Sequence, residues 1–157
     1  MKERSRLIPV VTCTIAIGGL LGVCMPAAAD WDAACSNRTI RGDYGFSIEG
    51  LALPGGPVAL PMRGVALTSF DGKGGLTQVD HVVFNGMPPA QDWTPGKGTY
   101  TVNPDCTGSF QVNVPSTGDI VNVKFVVVRD GKEIHTVVTA PFNGPPRTVT
   151  STGIRVD

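Results

Sequence analysis

The amino-acid sequence predicts an all-β protein, an antiparallel up-and-down barrel of about eight strands. Three observations carry this. Segments rich in valine and threonine alternate apolar and polar residues with a period of two, the pattern of a half-buried strand. The 20 glycines and 13 prolines of the 157 residues gather between those segments, where turns use them. No stretch sustains a helical period. Eight antiparallel strands joined in order by short turns close into a small barrel, and closure removes the unpaired edges of a flat sheet. A two-sheet β-sandwich of similar strand count is the alternative, but consecutive short hairpins favour the barrel.

The domain is expected to begin after an export signal. Lys2, Arg4 and Arg6 make a basic start, Leu7 to Val23 an apolar run, and Pro26-Ala27-Ala28-Ala29 a helix breaker followed by small residues at the A-x-A cleavage spacing. Residues 1–29 therefore read as a cleaved signal peptide and 30–157 as one β-barrel domain. Two other readings compete. A transmembrane anchor needs about 20 apolar residues, and this run is at the short end. A lipid on Cys24 would need a lipobox, but Val23 is larger than the residue such a site prefers. Cleavage after Ala29 leaves 128 residues with ten basic and twelve acidic side chains. The charges are scattered, which argues against nucleic acid as a partner. The expected location is periplasmic or extracellular, with no membrane insertion after cleavage.

The strands are expected in order. Thr39 to Glu49 places Tyr44, Phe46 and Ile48 on one face. A loop from Leu51 to Pro57, built on Pro54-Gly55-Gly56-Pro57, precedes Val58 to Phe70, in which Pro61 marks an edge, a bulge or a late start. Asp71-Gly72-Lys73-Gly74 is a hairpin turn leading into Leu76 to Asn85. A longer loop, Gly86 to Gly96, precedes Gly98 to Asn103. Pro104 to Gly108 turns into Ser109 to Val114, and Pro115 to Gly118 into Ile120 to Arg129. A second Asp-Gly turn at Asp130 opens Glu133 to Thr139. A loop from Ala140 to Pro146 precedes the last strand, Arg147 to Val156.

Once the signal is removed with Cys13 and Cys24, Cys35 and Cys106 remain. In an exported chain this even pair is expected to form a disulfide. It would fasten the leader of the first strand to the turn after the fourth, at one end of the barrel. Any ligand entrance then belongs at the opposite end.

The stretches Cys35-Ser36-Asn37, Gly42-Asp43-Tyr44-Gly45-Phe46, Phe70 to Gly74, Gly98 to Gly108 and Gly131 to Ile134 together resemble a group of small exported bacterial proteins of no established activity. More remotely, the architecture is similar to allene oxide cyclase-like and lipocalin-like barrels. That resemblance implies an eight-stranded barrel with an open mouth and an apolar cavity. No catalytic residue of the cyclases maps onto this chain. The lipocalin Gly-x-Trp signature is missing, and Gly42-Asp43-Tyr44 stands in a similar position.

Candidate chemistry is sparse. His81 and His135 fall on strands that are not neighbours in a meander, and Asp80 and His81 point to opposite faces. No metal and no cofactor are therefore expected. There is no Gly-x-Ser-x-Gly elbow and no phosphate loop. A carboxylate inside an apolar lumen would have a raised pKa and could serve as acid or base. Glu49 is the first candidate and Asp80 the second, since alternation assigns two faces without saying which is the lumen. Tyr44, Tyr100 and Trp93 are the candidate ligand-binding residues. Aromatic residues make up 6% of the chain, too few for the two girdles of an outer-membrane barrel. The leading expectation is a small apolar or amphipathic ligand bound in the lumen. The alternatives are an allene oxide cyclase-like cyclase or isomerase and a surface or matrix interaction module without a cavity.

Overall fold

A computed structural model describes residues 34–53, 55, 58–139 and 146–156. The expected signal peptide, its cleavage site, Cys13 and Cys24 lie outside the described residues. Eight strands form one closed antiparallel barrel in chain order: β1 Gly42–Ala52, β2 Leu60–Phe70, β3 Gly75–Phe84, β4 Thr94–Val102, β5 Thr107–Val114, β6 Asp119–Val128, β7 Glu133–Thr139 and β8 Arg147–Arg155. The β1–β8 ladder, from Tyr44↔Arg155 to Ala52↔Arg147, closes the ring. The barrel is thus observed and the sandwich is not.

Several expected boundaries move: β1 runs on to Ala52, β2 starts at Leu60 and β5 at Thr107, and two further shifts have identifiable reasons. β1 starts at Gly42 because Asn37–Ile40 forms a 3-10 turn instead of strand. β4 starts at Thr94, four residues early. Its Pro95 sits opposite Val79 in a stretch where β4 pairs with β3 alone. Pro61 is tolerated similarly: it lies opposite Leu51, one residue beyond the last β2–β3 pair, Met62↔Phe84.

A meander places alternate connections at opposite ends. One end holds the Asp71 hairpin, the Asn103–Cys106 turn and the Arg129–Gly131 turn, together with the start of β1 and the end of β8. The 3-10 turn plugs this closed end, with Ile40 completely buried beneath it. Hydrogen bonds fix the plug from several strands. Val102 N–H donates to Asn37 Oδ1 at 2.8 Å, and Tyr100 Oη donates to the Asn37 carbonyl at 3.1 Å. Arg155 Nη2 donates to the Thr39 carbonyl at 2.8 Å. The Gly131 carbonyl accepts from the buried Tyr44 hydroxyl and from Arg155. Gly131 has φ +79°, and a Cβ there would lie 2.3 Å from the Thr39 carbonyl oxygen. Only glycine allows this approach. Cys35 and Cys106 are disulfide-bonded, Cα to Cα 5.0 Å, which ties the plug to the β4–β5 turn.

Above the plug the lumen is filled by rings. Phe70 meets Tyr44 at 5.5 Å and Tyr100 at 4.9 Å between centroids, both edge to face. Phe110 meets Phe70 at 6.3 Å and Phe125 at 5.8 Å. Phe46 fits because β8 presents Gly153 beside it, where a Cβ would lie 2.4 Å from the ring. The outer wall carries exposed Glu49, Arg63, Lys97 and Lys124. Each would cost about 2–4 kcal/mol at a bilayer midplane, less for the acid.

Replacing both cysteines, Cys35→Ser with Cys106→Ser, removes a link across 71 residues. The expected loss is about 4 kcal/mol of unfolding free energy, measured by urea denaturation. A loss under about 1 kcal/mol, the scale of one hydrogen bond, would show that the plug's polar contacts suffice without the staple.

Candidate functional site

Toward the other end, the inward positions change character. Ile48, Gly50, Met62, Gly64, Val82, Val121, Val138 and Val149 replace the rings, and Phe84 is the aromatic ring nearest the mouth on these strands. These side chains are too small to meet across the barrel. They leave a cavity of about 480 Å³, floored by Phe110, Val112 and Val123 and rimmed by Met87, Pro88 and Pro89 of the β3–β4 connection. The mouth is the end opposite the disulfide.

The wall is mainly apolar, with polar groups in two stripes. On β2 and β3, Thr68 Oγ1 donates to Gln78 Oε1 at 3.2 Å, and Gln78 Nε2 donates to Asp80 Oδ2 at 2.9 Å. Thr68 is almost fully buried. On β7 and β8, the Thr136 and Ser151 hydroxyls share a hydrogen bond of 2.6 Å. Strands β3 and β7 are four apart in a ring of eight, so the stripes face each other across the lumen. Asp119 of β6 and Arg147 of β8 also line the cavity.

Asp80 is inward because it follows Leu76 and Gln78 at period two. Its cross-strand neighbour is the small Ala66, which leaves room for the carboxylate. Burial holds the Asp80 carboxyl above its usual range. The Gln78 hydrogen bond and the charge of nearby His81 pull it down only in part.

The other residues singled out from sequence lie elsewhere. Glu49 points outward, since Ile48 takes the inward position. It is exposed, 3.9 Å from the Arg63 guanidinium. Tyr44 and Tyr100 belong to the closed end. The Tyr100 hydroxyl accepts from Gly72 N–H at 2.8 Å, and Arg155 lies over the Tyr44 ring at 5.3 Å. Burial raises both phenols above their usual pKa. Trp93 is half exposed on the outer wall, edge to face with outward His81 at 6.1 Å. His81 Nδ1 lies 2.6 Å from the Asp92 carbonyl oxygen. His135 is on the outer wall, 2.9 Å from Glu133. None of Glu49, Tyr44, Tyr100 or Trp93 lines the cavity. Gln78, Thr136, Ser151, Asp119 and Arg147 do, and the sequence reading passed over them. Period two counted from a residue known to be inward would have found Gln78.

Comparison with known proteins finds no matching family model and no matching curated protein.

The carboxylates at the two ends respond to pH in opposite senses. Asp71 Oδ1 accepts from the N–H groups of Lys73, Gly74 and Gly75 at 2.7, 2.9 and 2.9 Å. Those bonds lower its pKa, so its contribution to stability is present above the unfolded value and lost as pH falls through the folded one. Asp80 is raised, so its contribution is full below the unfolded value of 3.8 and is lost as pH rises through the folded pKa. Asp80→Asn is therefore expected to melt higher than the parent at pH 7, with the difference closing by about pH 3. Asp71→Asn should melt lower at pH 7, and its deficit should also shrink in acid. Calorimetric scans across this range check both signs.

Proposed function

We propose that the protein is exported and binds one small apolar or amphipathic molecule in the upper lumen. The observation that carries this reading is the cavity: about 480 Å³, at the end of the barrel opposite the disulfide, mainly apolar, with a few convergent polar groups. Small-molecule sites usually enclose about 300–1,000 Å³ with this kind of lining. An eight-stranded barrel is narrow enough for side chains to fill, and the closed end is filled that way. Toward the mouth the lining side chains are shorter, Val82, Val121, Val138 and Val149 among them. The Lys2–Ala29 pattern supports export, and a disulfide fits an oxidising compartment. The resemblance to small exported bacterial proteins and to lipocalin-like barrels points the same way.

Asp80 supports a second reading, a cyclase or isomerase. A carboxyl whose proton is held by burial, beside a bound guest, can give or take a proton during a rearrangement. Glu49 has no part in that reading, because it lies outside the lumen.

Filling the mouth tests the first reading. Val82→Trp should weaken binding of the uncharged fluorophore N-phenyl-1-naphthylamine by about tenfold or more, a loss of roughly 1.4 kcal/mol. Val65→Trp, on the outer face of the neighbouring strand, should leave binding unchanged. Equal binding by both variants would place the fluorophore outside the lumen and remove the support for a lumenal site.

A further inference from the structure

We infer that the lumenal guest is a cationic amphiphile, an apolar body carrying a protonated amine that pairs with Asp80. This rests on the lumen-binding reading and deepens it. Three ionisable side chains line the cavity among the described residues: Asp80, Asp119 and Arg147. Two acids stand against one base. An anionic guest would meet both acids and the single base in a poorly solvated space, whereas a cation would meet an excess of acid.

The placement of Asp80 makes it the pairing point. Its Oδ2 accepts from Gln78 Nε2, and Gln78 cannot readily turn away because its Oε1 takes the Thr68 hydroxyl. The relay thus holds the carboxylate in one orientation. Among the described residues Asp80 accepts no other hydrogen bond, which leaves Oδ1 for a donor arriving through the mouth. An ammonium brings three donors and a full positive charge. A hydroxyl brings one donor and no charge, so it leaves the ionised carboxylate uncompensated. The Thr136 and Ser151 hydroxyls line the facing wall of the same cavity. Around this polar belt, Met62, Val82, Phe84 and Val121 fit an alkyl or aromatic body.

The test uses the exported form of the chain loaded with N-phenyl-1-naphthylamine at pH 7. Decylamine, 1-decanol and decanoate are each titrated in as displacers. Decylamine should displace most tightly and decanoate least. Asp80→Asn should weaken decylamine by roughly ten- to a hundredfold, the scale of one charge-assisted hydrogen bond, and leave decanol within about threefold. If decanol or decanoate displaces as well as decylamine, or if Asp80→Asn weakens all three alike, the cationic guest is wrong while lumenal binding stands. If the fluorophore does not bind the parent protein, lumenal binding fails and the inference falls with it.

Discussion

An eight-stranded barrel has a lumen of essentially one width, and its inward side chains compete for it. Everything else in this protein follows from how that competition is settled along the axis. At the closed end Tyr44, Phe46, Phe70, Tyr100, Phe110 and Phe125 fill the section, and Ile40 of the plug is sealed against them. Gly153 and Gly108 give up their side chains so that Phe46 and Phe125 can lie where they do. At the mouth the inward residues are short, so the ladders close the barrel without the lumen closing on itself. The cavity is a consequence of side-chain volume. All eight strands join one closed ring, with the β3–β4 ladder ending at Asp80↔Thr94 and the β7–β8 ladder at Val137↔Thr150.

Much of this was legible in the sequence. Period-two alternation and the turn residues at Gly72, Pro104 and Gly131 carry the strand order, and export logic carries the Cys35–Cys106 pairing. The asymmetry of filling was also there to be read. In a meander the start of β1, the end of β2, the end of β4 and the start of β5 lie at the same end, and Tyr44, Phe70, Tyr100 and Phe110 occupy those places. What alternation could not supply was the identity of the inward face. On β1 the question is simple, because Tyr44, Phe46 and Ile48 fall on one side and Glu49 on the other. On β3 both faces hold apolar residues, Leu76 and Val82 against Val79 and Val83, so period alone leaves Asp80 undecided. The tie is broken by neighbours distant in sequence: Ala66 and Gly64 on β2 leave space beside Asp80 and Val82. The plug was missed for a related reason. Asn37–Ile40 is a four-residue 3-10 turn, too short to leave a period, and its hydrogen-bond partners come from β4 and β8.

The polar groups of the two ends do different work. At the closed end the Tyr44 hydroxyl, the Arg155 guanidinium and the Gly131 and Thr39 carbonyls satisfy one another. A buried polar cluster paired in this way fixes a single arrangement of the segments that meet there. The guanidinium also lies over the Tyr44 ring, so its charge is met by a hydroxyl, carbonyls and a π face together. Removing one member would strand the rest, which makes this end a poor place for exchange with solvent molecules. With the disulfide added, the order of the fold is concentrated away from the mouth.

Asp80 stands in the opposite situation. Its ionised form is penalised by burial, and the Gln78 amide hydrogen bond and the charge of nearby His81 offset that cost only in part. The closed end is packed by large inward residues with its buried polar cluster paired, although Cys106, Arg129 and Asp130 in its turns take positive φ without being glycine. The mouth departs from that packing twice, by leaving volume unfilled and by placing a carboxylate against apolar walls. The two departures fall at the same place, since Asp80 lines the unfilled volume. A site for a guest requires both: space for its body and a fixed group for its polar end. A charged, hydrogen-bond-donating guest would correct both departures at once, by occupying the volume and by pairing the carboxylate that the fold itself leaves only partly compensated.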